Sequence, residues 1–194
     1  MNNNKNNSSR NLLIGIAIVG VLCLCAGVVG FLVLREVGTR VTQSFKTDPT
    51  EVAKISDKIA QFDIPAGYKA SMAMSLLNYD TVILAPSNGQ TDEMIMLMQM
   101  NGVTAPDPAQ MQKTLEQQSG QSGTNMKIVD SYQTTIRGEK TTVTVQESDG
   151  SQSYALRQLI AVFKGNNGAA ILMIQGNKNT WDQNLADQFI ASIR

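Results

Sequence analysis

The longest apolar segment of the chain runs from Leu12 to Leu34 and contains no charged residue, no amide and no hydroxyl. As a helix rising about 1.5 Å per residue it covers roughly 34 Å, against a hydrocarbon core about 30 Å thick. A cleaved signal peptide has a shorter apolar run, of about 7 to 15 residues, followed by a small-residue cleavage site. We therefore predict that residues 12–34 form a single transmembrane helix.

The segments flanking this run give its predicted orientation. Residues 1–11 are a polar, Asn-rich tail that is predicted to be disordered. Positive residues lie on both sides of the run, at Lys5 and Arg10 and at Arg35, Arg40 and Lys46. Because a short tail is easily retained while the span starts export of the rest of the chain, we favour an inside amino terminus and an extracytoplasmic domain. The protein is then a single-pass cell-membrane protein, and residues 12–34 bind the lipid bilayer.

Both cysteines of the chain, Cys23 and Cys25, lie within the predicted span. A lipoprotein signal needs a small residue just before the modified cysteine, but a leucine precedes each of them. Acylation or pairing of the cysteines stays an alternative to a purely apolar role. The spacings Cys23-xxx-Gly27 and Ala26-xxx-Gly30 place small residues on one helix face, which lets two helices approach closely. A weak dimer formed through the anchor is a further expectation.

Residues 35–47 form a juxtamembrane linker in this interpretation, and residues 48–194 form one soluble domain. Three helices of that domain are predicted from their first residues, which are Asp48-Pro49-Thr50-Glu51, Asp107-Pro108-Ala109-Gln110 and Thr180-Trp181-Asp182-Gln183. Each set begins with a capping residue that is followed three positions later by Glu or Gln. The first helix is expected to end near Gln61 and the second near Gln118, and the third closes the chain.

Alternating apolar and polar residues predict strands between these helices. The predicted strands are 70–76, 81–84 and 93–100 before the middle helix, and 125–137, 140–147, 153–164 and 168–175 after it. Turn residues such as Asn88-Gly89 and Asn167-Gly168 separate them. This order predicts an α+β fold, an α/β/α sandwich with a mainly antiparallel sheet of about six to seven strands.

Several stretches of the chain resemble the PsbP/DcrB-like superfamily, which includes the Ran-binding Mog proteins. They are IAQFDIPAGYKASMAM, strands that end at IMLMQM, a meander containing RQLIAVFKGNNGAAILMIQG, and the closing WDQNLADQFIASIR. The resemblance covers about residues 48–194 and rests on the order of elements and the Pro-Ala-Gly-Tyr turn. It implies a non-catalytic α/β/α sandwich held at or near a membrane as an accessory or binding factor. It assigns no catalytic or ligand-binding residue to this chain.

The residue inventory argues against an enzyme. The chain has no histidine, and its cysteines lie in the predicted span, which excludes the usual histidine-dependent nucleophiles and most zinc sites from the domain. The acid pairs Asp92-Glu93, Glu147-Asp149 and Asp182-Asp187 leave a carboxylate-based hydrolase as one alternative. Solvated turns and strand ends explain these acids equally well. We therefore predict no catalytic residue, no cofactor and no enzymatic activity.

Methionine is the unusual feature of the composition, with ten residues in the chain. One predicted strand has methionine at every second position, at Met94, Met96, Met98 and Met100. These side chains share a face, and Met72 and Met74 lie on another strand. Thioethers bind Cu(I), so an exported soft-metal carrier is the other alternative function. Ile95 and Leu97 make the opposite face of the strand apolar, and this favours a strand that is buried on both sides.

The sequence therefore predicts a membrane-anchored, non-catalytic accessory or binding module whose protein partner it does not name. The whole chain has 16 basic and 16 acidic residues, so nucleic acid is not expected as a partner. No metal-binding residue is assigned.

Overall fold

The computed structural model describes residues 45–76, 78–89, 93–102, 107–119, 126–148 and 155–194. The predicted tail and transmembrane helix, both cysteines and the predicted linker up to residue 44 lie outside these ranges. Within the described ranges, no helix is long and apolar enough to cross a membrane. The described residues between 43 and 194 form one compact unit.

The described residues form eight strands and three α-helices. The strands are β1 (Phe45–Lys46), β2 (Tyr68–Leu76), β3 (Tyr79–Pro86), β4 (Met94–Met100), β5 (Met126–Ile136), β6 (Glu139–Ser148), β7 (Leu156–Lys164) and β8 (Ala169–Asn177). The helices are α1 (Pro49–Ile59), α2 (Pro108–Ser119) and α3 (Gln183–Ser192), and a short 3-10 turn (Lys178–Thr180) precedes α3. The prediction of an α+β domain built on an antiparallel sheet is confirmed. The two-residue β1, which lies within the predicted linker, was not anticipated.

The sheet joins two antiparallel meanders side by side. Its strand order is β1-β2-β3-β4-β8-β7-β6-β5, so each meander is continuous in sequence and the two meet where β4 pairs with β8. In that pairing Met94 lies opposite Gln175, and Gln99 lies opposite Ala170. Strand β4 is central, and its residues 95–99 are buried on both faces, as the sequence predicted.

One side of the sheet, called here the core face, carries the hydrophobic core. Helices α1 and α3 supply Val52, Ile55, Ile59, Ala186, Phe189 and Ile190 to it, and the sheet supplies Val82, Leu97, Leu159 and Leu172. Phe62 lies edge-on to Phe189, with ring centroids 5.5 Å apart. The apolar stripe that the sequence predicted for the first helix is therefore the stripe that packs on the sheet.

The opposite side of the sheet is called the methionine face. The cross-strand register places seven methionines on it, which are Met72, Met74, Met94, Met96, Met98, Met100 and Met173. Helix α2 lies on this face, where Gln112 Nε2 donates a hydrogen bond to Thr144 Oγ1 over 3.1 Å. Thr144 points away from its neighbour Val143, which belongs to the core face.

The helix starts follow the predicted capping residues in two of the three cases. Asp48 Oδ1 accepts hydrogen bonds from the backbone N–H groups of Thr50 and Glu51, and α2 begins at Pro108. The third predicted start is wrong by two residues, because Asp182 and not Thr180 caps α3. The Asp182 Oδ1 atom accepts from the Leu185 N–H at 3.1 Å, while Thr180 belongs to the 3-10 turn after β8.

The two ends of the sheet are called the Leu76 end and the Gly176 end, after a residue at each. At the Leu76 end, β2, β4 and β7 finish, and β3, β6 and β8 begin. The Gly176 end lies near the carboxyl end of β8. There, Arg157 of β7 lies opposite Gly176, and Glu147 of β6 lies opposite Arg157. The candidate sites lie at these two ends and on the methionine face.

Candidate functional site

Glu147 at the Gly176 end lies between two cations. Lys178 Nζ donates a hydrogen bond to one carboxylate oxygen, and Arg157 Nη1 donates to the other over 2.7 Å. These bonds, that from Lys178 first, hold the pKa of Glu147 below its ordinary value of 4.5. A carboxyl group held ionised in this way is not a proton donor at neutral pH. Its predicted partner Asp149 lies outside the described residues.

Glu93 is engaged by a tyrosine at the same end. The Tyr68 hydroxyl donates to Glu93 Oε2 over 2.5 Å, and burial together with this carboxylate raises the pKa of Tyr68. Glu93 lies beside Gly176 in the row that crosses β4, β8, β7 and β6, so its Cα atom is three strand spacings, or about 14 Å, from that of Glu147. Asp92, its neighbour in the predicted pair, lies outside the described residues.

The third predicted acid pair is divided between two structural contacts. Asp182 caps α3, and Asp187 accepts hydrogen bonds from the Tyr132 hydroxyl at 3.2 Å and from Gln183 Nε2 at 2.9 Å. Burial, followed by the charge of Asp187, raises the pKa of Tyr132 to about 12. Asp182 therefore fixes the start of α3, and Asp187 joins α3 to Tyr132 on β5.

Trp181 closes the Gly176 end of the core face. The Arg157 guanidinium carbon lies 5.6 Å from the centre of a Trp181 ring, within the range of a cation–π contact. A Cβ atom at Gly176 would lie 2.9 Å from Glu93 Cγ and 3.5 Å from Trp181 Cε3. Glycine at this position therefore lets the Glu93 chain and the indole lie close to the sheet. These residues are far apart in the sequence, and only the strand order brings them together.

A buried polar network lies at the Leu76 end of the core face. Asp80, only 2% exposed, accepts hydrogen bonds from Ser75 Oγ at 2.5 Å and from Asn101 Nδ2 at 2.6 Å, and Lys58 Nζ lies 3.6 Å away. Gln99, which is fully buried, donates to the Lys58 carbonyl at the end of α1 over 3.1 Å. This network fixes α1 to the sheet.

The methionine face brings thioethers from different strands together. Met96 on β4 lies directly opposite Met173 on β8, and Met72 lies in the same cross-strand row beyond Ile83. Directly opposite residues have Cβ atoms about 4.5–5.5 Å apart. The sequence predicted only a line of methionines along one strand, because the pairing of β4 with β8 has no local signal. In the described part of the chain, no group of three or more acidic, histidine or cysteine side chains is arranged to hold a metal ion.

An open groove of about 1050 Å³ lies at the Leu76 end beside the start of α2. Its lining includes Pro108, Lys113, Lys140, Thr142 and Lys164. The groove also contains Asp107 and Glu139, and Lys164 Nζ lies 4.0 Å from a Glu139 oxygen. Sequence reasoning missed this groove because its lysines are far apart in the chain and meet through α2, β6 and β7.

Comparisons with known proteins identify no family. No protein-family model matches the chain, and no curated protein matches it. Among solved structures, the chain is similar to LpqN, described as involved in cell envelope biogenesis of Mycobacterium tuberculosis. The TM-score is 0.37 and the sequence identity is 11%, over 66% of this chain and 78% of the LpqN chain. This is a distant likeness only, and the PsbP/DcrB-like superfamily stays a prediction.

Proposed function

We propose that the protein is a single-pass, membrane-anchored binding module without catalytic activity. The observation that carries this proposal is the engagement of the candidate acids: Glu93, Glu147, Asp182 and Asp187 each accept hydrogen bonds that hold strands or α3 in place. Two-acid catalysis needs a protonated acid and a free base at a fixed separation. Acids that serve as caps and bridges favour a scaffold that presents surfaces to a partner.

The placement of the helices supports a three-layer α/β/α arrangement of the PsbP/DcrB type as the finer form of this proposal. Helices α1 and α3 pack on the core face, and α2 bonds to Thr144 on the methionine face. In this proposal the run Leu12–Leu34 is the anchor and the domain lies outside the cell membrane. Location beside the bilayer is then part of the function, because it restricts the partners that the domain can meet.

Membrane integration is tested by alkaline carbonate extraction of membranes that contain the full chain. We expect the wild-type protein to stay in the membrane pellet and the double variant Leu22→Arg/Leu24→Arg to be released, because a charge at the centre of a span costs roughly 2.5–3.5 kcal/mol. The variant Asn6→Arg, which changes charge in the tail, is the matched control and stays in the pellet. Release of the wild-type protein contradicts the anchor.

The orientation and the partner are tested in intact cells. An external protease is expected to degrade the domain while the cell membrane is unbroken, and an internal marker protein stays uncut. Crosslinking is expected to recover one stable protein partner with the wild-type chain and to lose it with the released double variant. Protection of the domain until the cells are lysed contradicts the extracytoplasmic placement.

Met96 and Met173 lie opposite each other but are buried, at 4% and 2% exposed, and a Cu(I) carrier built on them is the second candidate function. The test is competition between the full chain in detergent and a Cu(I) chelator. A carrier is expected to lose at least about tenfold in affinity in Met96→Leu/Met173→Leu, equivalent to about 1.4 kcal/mol, and to keep its affinity in Met126→Leu. A wild-type chain that takes no Cu(I) from the chelator excludes this function.

A further inference from the structure

We propose that the outer edge of β5 pairs antiparallel with the same edge of a second copy of the chain, about a two-fold axis that passes between Ile128 and Val129. This interaction goes beyond the proposed anchoring and does not use the predicted span. Four features of β5 carry it, which are the length of its free edge, the exposure of two aliphatic side chains, a bulge, and the order of its charges.

The outer edge of β5 is the longest unpaired edge of the described sheet. The sheet ends in β1 on one side and in β5 on the other, and these strands have two and eleven residues. In the part of β2 that extends beyond β1, residues 68–72, only Lys69 is exposed. Proteins protect such edges with prolines, with lysines or by making the strand short. Strand β5 is long, and it contains no proline and one lysine, Lys127.

The exposed aliphatic residues of the described chain are concentrated on this edge. Ile128 is 47% exposed and its neighbour Val129 is 49% exposed. They lie within five consecutive exposed residues, 127–131. Ile64 and Leu76 are similarly exposed, but each is a single residue and neither belongs to an edge strand. Adjacent exposed aliphatic residues on an unpaired strand are typical of a surface that another strand covers.

A bulge in β5 places these two side chains on one face. Ile128 lies opposite Gln146 and Asp130 lies opposite Val145, so Val129 is an extra residue without a partner on β6. Val145 belongs to the core face and Gln146 to the methionine face. Alternation on either side of the extra residue therefore places Ile128 and Val129 on the methionine face. It also places Lys127 and Asp130 together on the core face, although residues three apart in a regular strand point to opposite faces.

This arrangement is complementary to itself. When two copies of β5 run antiparallel about the proposed axis, Ile128 lies opposite Val129 of the partner subunit, and Lys127 lies opposite Asp130 of the partner subunit. Each contact occurs twice, as in any two-fold interface. Opposite charges on facing strands are stabilising, and so are facing aliphatic side chains. Asp130 Oδ1 accepts the Ser131 N–H over 2.8 Å, and a carboxylate can accept further bonds at its second oxygen.

Charge complementarity favours a second copy over other occupants of this edge. A strand of another protein would need a base and an acid on one face, at the spacing that the bulge creates, together with two aliphatic residues between them. A second copy of the chain has this pattern by identity. The bulge is the decisive feature, because without it Lys127 and Asp130 could not both face their counterparts.

The first test is disulfide formation between two forms of the full chain in detergent, both with Cys23→Ala and Cys25→Ala. One form carries Lys127→Cys and the other Asp130→Cys. In the proposed dimer these positions are opposite, with Cα atoms about 4.5–5.5 Å apart, which suits a disulfide. We expect the mixture to form covalent dimers at least about tenfold faster than either form alone, because two copies of one position are three residues, or about 10 Å, apart.

Thr135→Cys is the matched control for the first test, since Thr135 is also exposed on β5. In the proposed register it lies roughly 26 Å from Asp130 of the partner subunit. The mixture of Thr135→Cys with Asp130→Cys is therefore expected to form covalent dimers no faster than either form alone. Rapid dimers with Thr135→Cys, or none in the mixture of Lys127→Cys with Asp130→Cys, overturn the proposed pairing.

The second test measures the dimer dissociation constant of the full chain by sedimentation in density-matched detergent. Asp130→Lys and Lys127→Asp are each expected to raise this constant at least about tenfold, because like charges then face each other twice. The exchange Lys127→Asp/Asp130→Lys is expected to restore it to within about threefold of the wild-type value. Lys69→Asp makes the same charge change on β2 and is expected to leave the constant unchanged.

Two results of the second test contradict the pairing of β5. One is a wild-type chain that stays monomeric over the whole concentration range, which means that another molecule or no molecule covers this edge. The other is a dimer whose dissociation constant is the same in all four variants, which means that the copies associate elsewhere, for example through the predicted span. Neither result bears on membrane anchoring, which carbonate extraction tests separately.

Discussion

At the scale of single residues, Gln99 shows how a fully buried side-chain amide is tolerated. Its Nε2 donates to the Lys58 carbonyl and to Asn101 Oδ1, and its Oε1 accepts from the Asn167 N–H at 3.1 Å. Each bond replaces one that the amide would make with water, so the side chain is buried without a large penalty. The cost of disturbing this side chain is therefore expected to be high.

Gly165 provides the test, because a Cβ at this position would lie 2.2 Å from Gln99 Oε1. We expect Gly165→Ala to lower the free energy of unfolding by about 1–3 kcal/mol, since the amide must move and its bonds are lost. Urea denaturation followed by the fluorescence of the single tryptophan measures this change. The double variant Gly165→Ala/Gln99→Ala should lose less than the sum of the two single variants, because the obstacle is gone. Full additivity contradicts the proposed contact.

Glu147 makes the free energy of unfolding of the domain depend on pH. Its pKa is lowered in the folded protein, chiefly by Lys178, so its contribution to stability is complete above its ordinary value of 4.5 and is lost as the pH falls through the lower folded value. We expect Glu147→Gln to lower the free energy of unfolding at pH 7 by about 1–3 kcal/mol and to flatten its fall below pH 4.5. Urea midpoints measured across this range test it. Glu139→Gln, whose carboxylate is exposed, is the control with little effect.

At the scale of elements, the sequence predicts most strands and helices, because each has a local signal. Alternation in β2 and the Asp-Pro pairs before α1 and α2 give types and starts that agree with the structure within about two residues. The start of α3 could not be chosen from the sequence, since Thr180 and Asp182 are both good capping residues. Their roles are decided by the 3-10 turn at the end of β8. The strand β1 has only two residues, too few for any periodicity to show.

The cap of α3 is a prediction at this scale. We expect Asp182→Ala to cost about 1 kcal/mol of unfolding free energy, because the Leu185 N–H loses its acceptor. Thr180→Ala, the change at the cap that the sequence favoured, should cost clearly less. Both are measured by urea denaturation in one buffer. A larger loss for Thr180→Ala than for Asp182→Ala contradicts the assigned cap.

At the scale of the whole molecule, stability is expected to be concentrated where the two meanders meet. Leu97 on β4 is fully buried at the centre of the sheet, whereas Ile128 on the edge strand β5 is 47% exposed. We expect Leu97→Ala to lower the free energy of unfolding by about 2–5 kcal/mol and Ile128→Ala by less than about 1 kcal/mol. Urea denaturation of the two variants in one buffer measures the difference. Similar losses for both variants contradict this distribution.

The strand order, and the residues that it brings together at the candidate sites, could not be predicted from the sequence. Nothing local in Met94–Met100 or Ala169–Asn177 indicates that these two strands pair. That pairing places Met173 beside Met96, and it places Gly176 between Glu93 and Arg157. The acids could be picked out by type, but which of them lie near each other depends on the strand order.

The distance along the chain between β4 and its partner β8 has a consequence during translation. The strand MIMLMQM leaves the ribosome about 70 residues before its partner β8 begins, an interval of roughly 4–14 seconds at usual elongation rates. During that time one edge of an apolar strand has unpaired backbone groups and can associate with other nascent chains. The order of the sheet therefore makes this protein a candidate client for a chaperone that shields β4 until the last meander is complete.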